Sequence, residues 1–92
     1  MLNQVVVVGR IVDIFDNQIV MNIPRSYKNE HGEYDTDTIP VKLTGNIFNN
    51  VKEYCKAGDL VGIKGVLESE GITIVVRGDK VTFLSSTKEG GE

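Results

Sequence analysis

Four consecutive valines at positions 5–8 constrain the fold more than any other feature of this sequence. A strand with one face in a core and the other in water alternates apolar and polar residues, and this run does not alternate. Both faces of the strand are therefore expected to be covered. In a chain of 92 residues, we expect the core to cover one face and a second subunit the other. The predicted oligomer interface consists of Val5, Val6, Val7 and Val8.

Alternating apolar residues and turn signals predict five strands along the chain. They cover residues 4–15, 18–24, 38–44, 60–68 and 72–77, and the last continues to residue 84 after a break at Gly78-Asp79. Asp16-Asn17 predicts the first turn and Glu70-Gly71 the last. Residues 25–37 are polar, with Gly32 near the middle, and predict a long hairpin loop or an extended arm.

One helix is predicted between the third and fourth strands, because apolar residues there recur at helical spacing. Asn46 is its predicted N-cap, and Gly58 stands where a C-terminal glycine belongs. Phe48, Tyr54 and the distant Phe83 are predicted core residues. A helix in this position among five strands predicts an all-β fold, the five-stranded Greek-key barrel called the OB-fold.

Length and composition predict a single domain over residues 1–84, followed by a short disordered polar tail at 85–92. Cys55 is the only cysteine, so no disulfide can form within the chain, as is typical of reducing compartments. No apolar run approaches the roughly 18 residues of a membrane span, and the start lacks the features of a signal peptide. We therefore predict a cytoplasmic protein.

Nothing in the sequence predicts catalysis, a metal or a cofactor. His31 is the only histidine, so a zinc site is not expected. Cys55 lies on the apolar face of the helix and is interpreted as a packed thiol. The carboxylates are scattered over turns and loops without an acid/base pair, so we do not expect an enzyme.

Three segments together resemble the bacterial single-stranded DNA-binding protein family. They are LNQVVVVGR at the start, TGN followed by VKEY and KAG in the helical region, and DLVGIKGVL in the fourth strand. The resemblance covers about residues 1–84. It implies cytoplasmic binding of single-stranded DNA without strong sequence preference, in DNA replication, recombination or repair. It also implies a homo-oligomer, a tetramer or a dimer, in which first strands meet.

Binding of single strands without sequence preference needs cations along the phosphates and aromatic rings on which bases stack. The resemblance implies a stacking role for Tyr27, where the family has a tryptophan, and Tyr34 is expected to add to it. Thr38 and Thr44 stand where the family often has further aromatics, which is a departure. The candidate cations are Arg10, Arg25, Lys28, Lys42, Lys64, Arg77 and Lys80.

Other features weigh against DNA binding. The net charge is −3, whereas nucleic-acid-binding domains are usually basic. The arm and the short last hairpin are both acidic and would repel phosphates: the arm carries Glu30, Glu33, Asp35 and Asp37, and the hairpin carries Glu68 and Glu70. Ser85 to Glu92 lacks the acidic tip through which the family recruits replication proteins. Two alternatives therefore stay open: a primosome-type OB-fold adaptor, and an OB-fold protein-interaction module that has lost DNA binding.

Overall fold

Five strands close into a barrel in the computed structural model, which describes residues 2–86. The elements in chain order are β1 Val5–Phe15, β2 Gln18–Lys28, β3 Tyr34–Leu43, α1 Gly45–Tyr54, β4 Leu60–Glu70 and β5 Thr73–Ser85. Around the barrel the order is β1-β2-β3-β5-β4, and β4 pairs with β1 to complete it. Only the β3–β5 pair is parallel among these. The predicted barrel, with its helix between the third and fourth strands, is confirmed.

Strand alternation supplies the core. Ile19 and Met21 of β2, Val41 of β3 and Val61 of β4 are all 0% exposed. The helix closes the core by burying Phe48 and Val51. The core positions predicted for Tyr54 and Phe83 are wrong, since these side chains are 74% and 51% exposed. Tyr54 is the last residue of α1, and the helix buries the face that carries Phe48 and Val51 instead.

The valine run alternates in the structure although it does not alternate in the sequence. Val7 packs against the core, whereas Val6 and Val8 point outward and are 68% and 47% exposed. Leu84 of β5 lies on the same outer surface, because a methyl group built on Gly62 would touch both Leu84 and Val8. We call Val6, Val8 and Leu84 the valine face. Within one chain the core covers one side of β1 and leaves this face exposed.

The polar arm is a β-hairpin rather than a loop. The second and third strands extend beyond their predicted ends, to Lys28 and back to Tyr34, and leave only residues 29–33 as the connection. Asn29 organises this turn, because its side-chain oxygen accepts the backbone N–H groups of His31 and Glu33 at 2.8 and 3.0 Å. The arm is therefore a defined surface formed by two paired strands and an ordered turn.

The predicted break at Gly78-Asp79 is a bulge within a continuous β5. Lys64 pairs with Lys80 and Gly65 with Gly78, so Asp79 is the extra residue. A methyl group on Gly78 would come within 2.8 Å of Leu43 and 3.0 Å of Ile63. Glycine at this position lets β5 pass close over the core and continue to Ser85, where the predicted tail begins; residues 87–92 of that tail lie outside the described residues.

Both predicted ends of the helix are shifted. Thr44 is the N-cap, not Asn46, and its carbonyl accepts the Phe48 N–H at 2.8 Å. The helix ends at Tyr54, and Gly58 lies in the following turn with a φ of 95°. The carboxylate of Asp59, only 1% exposed, stabilises that turn by accepting the Lys56 N–H at 3.0 Å.

Replacing Asp59 by alanine should lower the free energy of unfolding by about 0.5–1.5 kcal/mol, the usual net value of one hydrogen bond. Asp59→Asn keeps an oxygen that can accept the Lys56 N–H and should cost less. Urea unfolding followed by circular dichroism measures both variants. Equal losses in the two would show that the hydrogen bond is not what stabilises the turn.

Candidate nucleic-acid interface

A row of polar side chains crosses three strands on the outer surface of the barrel. Arg10 of β1 is opposite Asn22 of β2, and Asn22 is opposite Thr38 of β3. The Thr38 hydroxyl donates to the Asn22 side-chain oxygen at 3.0 Å, and Arg10 donates to the Gly58 carbonyl at 3.2 Å. The structure thus brings together two predicted site residues, Arg10 and Thr38. The structure also places Asn22 in this row, a residue that was not among the predicted site residues. Strand alternation predicts that Asn22 points outward, but its position between Arg10 and Thr38 depends on strand register.

Two exposed aromatic rings and a cation lie on the β2–β3 hairpin that continues from this row. Tyr27 and Tyr34 are 62% and 56% exposed. Lys28 pairs with Tyr34, and its Nζ lies 5.9 Å from the centre of the Tyr34 ring, within the range of a cation–π contact. Stacking surfaces beside a cation are the combination that single-stranded nucleic acids require. The structure therefore places Lys28 and Tyr34 in contact, and Tyr27 is exposed on the same hairpin next to Lys28 in the chain.

Arg25 also lies on the hairpin but is bound by an acidic neighbour. Its Nε and NH2 donate to the two carboxylate oxygens of Asp37 at 3.0 and 2.9 Å. The hydrogen bond from Arg25 lowers the pKa of the Asp37 carboxyl, so this group stays ionised. Asp37 is opposite Ile23, which packs against the core, so the pair lies on the other side of the hairpin strands from Thr38. The structure does not group Arg25 with the polar row.

Lys42 and Arg77 are neighbours on the outer surface, because β3 and β5 pair with these two residues in register. The Nζ of Lys42 lies 2.8 and 2.7 Å from the two carboxylate oxygens of Glu70. The Nε of Arg77 donates to Glu68 at 2.8 Å. We call Lys42, Glu70, Arg77 and Glu68 the charge quartet. Both predicted cations are thus already bound to carboxylates.

The remaining three predicted residues, Lys64, Lys80 and Thr44, lie elsewhere. Lys64 of β4 is opposite Val6 on one side and Lys80 on the other, so it borders the valine face. The fifth strand separates it from Lys42 on β3. Thr44 lies at the end of β3 away from the hairpin, where it begins the helix. The structure therefore does not bring Lys64 or Thr44 together with the hairpin residues.

Comparison with known proteins identifies the family. Single-stranded DNA-binding protein 1 of Clostridium acetobutylicum is 38% identical to this chain over 77 residues, which cover 73% of this chain and 69% of that protein. The chain belongs to the single-stranded DNA-binding protein family. Single-stranded DNA-binding protein B of Bacillus subtilis is 29% identical over 103 residues, with 91% of each chain covered. No family model matches the sequence.

Solved structures share the fold of this family member. A Plasmodium falciparum SSB in complex with ssDNA gives a TM-score of 0.73 at 15% identity, covering 92% of this chain and 96% of that one. A mitochondrial single-stranded DNA-binding protein from S. cerevisiae gives 0.72 at 17% identity, covering 97% and 100%. At such identities the likeness shows the fold, and it agrees with the barrel described above.

A concave surface outside the polar row and the hairpin lies between α1 and β5. It encloses about 270 Å³, and its lining includes Ile47, Cys55 and Phe83. Burial raises the pKa of the Cys55 thiol, and the nearby Asp59 raises it further, which disfavours the reactive thiolate. Among residues 2–86, no three histidine, cysteine or acidic side chains are placed to hold a metal ion. In the same range, no helix is long and apolar enough to cross a membrane.

Proposed function

We propose that this chain binds single-stranded DNA without strong sequence preference, and coats and protects exposed strands in replication, recombination or repair. The observation that carries the proposal is the hairpin, where Tyr27 and Tyr34 expose their rings and Lys28 lies over the ring of Tyr34. The names of the bacterial relatives support it, since all three are single-stranded DNA-binding proteins. We infer a cytoplasmic binding protein without catalytic activity, formed by one domain over residues 1–84.

The strand would follow the hairpin onto the outer surface of the barrel. Bases would stack on Tyr27 and Tyr34, and Lys28 would neutralise phosphates next to them. The polar row of Thr38, Asn22 and Arg10 continues this path across β3, β2 and β1, and offers hydrogen bonds and a further charge. The stacking and phosphate contacts involve the faces of the bases and the DNA backbone. Every base offers both, which explains binding without a preferred sequence.

A second copy of the chain supports this function, because one chain offers few stacking rings. The valine face would be the contact between subunits, with Val6 and Val8 covered by the partner copy as the valine run predicts. Joining several weak sites raises the effective concentration of each for the same strand, so avidity exceeds the affinity of one site. We therefore propose a homo-oligomer, a dimer or a tetramer.

A second candidate is a protein-interaction module that has kept the barrel and lost DNA binding. The ion pairs favour it, because Arg25, Lys42 and Arg77 are each bound by a carboxylate. The net charge of −3 favours it as well. This candidate predicts no affinity for DNA even at low salt, so one binding measurement separates the two.

Labelled oligo-dT is expected to bind with micromolar or higher affinity at low salt, and more weakly near physiological salt. The logarithm of the binding constant falls linearly with the logarithm of the salt concentration, and each neutralised phosphate contributes about 0.7 to the magnitude of that slope. Two phosphates per chain, held by Arg10 and Lys28, therefore predict a slope of about 1.4. Fluorescence anisotropy measures both quantities, and a duplex of equal length is the control, expected to bind less well. Absence of binding at low salt would reject the proposal in favour of the interaction module.

A further inference from the structure

The charge quartet places two cations next to each other on the surface that continues from the proposed DNA path. Lys42 follows Thr38 and Pro40 on the outward side of β3, and Arg77 is its neighbour on β5. Their side chains are 38% and 35% exposed, and those of Glu70 and Glu68 are 47% and 42% exposed. All four charged groups are therefore within reach of a strand that lies on this surface.

The two carboxylates occupy the donors that a phosphate would use. The Lys42 ammonium has both oxygens of Glu70 within hydrogen-bonding distance, at 2.8 and 2.7 Å. The Nε of Arg77 donates to Glu68 at 2.8 Å. Lysine and arginine bind phosphate oxygens through these same N–H groups, in charge-assisted hydrogen bonds of similar length. A backbone phosphate therefore competes with Glu70 and Glu68 for the charge of Lys42 and Arg77 and for the donors that these carboxylates occupy.

The pairs hold at neutral pH but remain displaceable. The hydrogen bond and charge of Lys42 lower the pKa of the Glu70 carboxyl, and Arg77 lowers it further, so Glu70 is ionised. Exposed ion pairs of this kind contribute little net stability because water and salt screen them. The quartet therefore weakens phosphate binding without preventing it.

We propose that Glu68 and Glu70 compete with the DNA backbone for Arg77 and Lys42, and thereby set the affinity of this chain for single strands. This inference rests on the proposed function. It assigns the two glutamates a role as affinity-determining residues, whereas a purely structural role would only join β4 to β5 through Glu68 and the β4–β5 hairpin to β3 through Glu70.

The test compares the wild-type protein with Glu70→Gln, Glu68→Gln and the double variant, using labelled oligo-dT over a series of salt concentrations. Glutamine keeps the shape of the side chain and removes its charge. Each single variant should bind about twofold to fivefold more tightly, as expected from the small value of an exposed ion pair. Each should also increase the salt slope by about 0.7, because one more phosphate is neutralised. Glu53→Gln, which removes one charge from the exposed surface of α1, should change neither quantity.

A double-mutant cycle separates competition from a general effect of charge. In a Lys42→Gln background, Glu70→Gln should give a much smaller gain, because only the weaker interaction of Glu70 with Arg77 is left to release. The same gain with and without Lys42, or an equal gain from Glu53→Gln, would overturn the inference. So would a double variant with the affinity and slope of the wild type, and that result would leave the proposed function intact. If neither wild type nor double variant binds at low salt, the proposed function fails and the inference fails with it.

Discussion

Glutamate in place of Val6 is expected to dissociate the proposed homo-oligomer at the valine face. Val6 is 68% exposed in the single chain and lies at the centre of the run that predicts the subunit contact. Burying a carboxylate in an apolar contact costs several kcal/mol per ion, which weakens association by about a hundredfold or more. Lys64 is opposite Val6 on β4 and would pair with the new charge in the dissociated chain. Light scattering over a range of protein concentrations measures the mass.

Val12→Glu is the matched control, because Val12 is on the same strand, is 44% exposed, and lies outside the valine face. Val7→Glu would not serve, since Val7 packs against the core and its substitution would damage the fold. An oligomeric mass retained by the Val6 variant would reject the valine face as the contact. Loss of assembly in both variants would point to a contact that extends along the whole of β1.

Features of the fold that depend on neighbouring residues could be predicted from the sequence. The turn at Asp16-Asn17 is an example, because asparagine and aspartate tolerate the left-handed backbone, and both residues adopt it with φ values of 55° and 58°. The alternation of Ile39, Val41 and Leu43 likewise predicts which side of β3 faces the core. Local pattern and turn chemistry are enough for such features, and together they give the order of strands and helix.

Features that depend on distant residues could not be predicted in the same way. Lys42 and Glu70 are 28 residues apart and meet because β5 lies between β3 and β4 in the barrel. The sequence predicts only that the carboxylates of Glu68 and Glu70 repel phosphates. The structure shows that each binds a cation that was itself a predicted DNA contact. Strand order and register decide which cation each glutamate contacts, and alternation within one strand carries no information about order or register.

The ends of elements depended on packing as well. Tyr54 fits the apolar spacing of the helix, yet it is exposed because the helix ends there and buries a different face. The polar arm shows the opposite case: its residues carry no apolar alternation, but cross-strand pairing continues through Thr36 and resumes at Tyr34. Its two tyrosines were assigned to the site by resemblance and by residue type. Their shared place on one hairpin is what the structure adds.

Replacing Tyr27 by alanine is expected to weaken the binding of oligo-dT by about 1–3 kcal/mol, the value of one base stacked on an aromatic ring. The loss corresponds to about a fivefold to 150-fold increase in Kd. Tyr27 is 62% exposed on the hairpin, so its removal leaves no cavity in the core and should not change the stability of the barrel. Anisotropy titrations at one fixed salt concentration measure the change.

Two variants make this result specific to stacking at Tyr27. Tyr27→Phe keeps the ring and should retain nearly all of the affinity, whereas Tyr54→Ala removes a ring that is 74% exposed on α1 and should have no effect. The chain has three tyrosines and no tryptophan, so quenching of tyrosine fluorescence by DNA is a second readout. Stacking predicts that Tyr27→Phe binds normally but loses part of this quenching. An unchanged Kd for Tyr27→Ala would remove Tyr27 from the site and leave Tyr34 as the ring that bases contact.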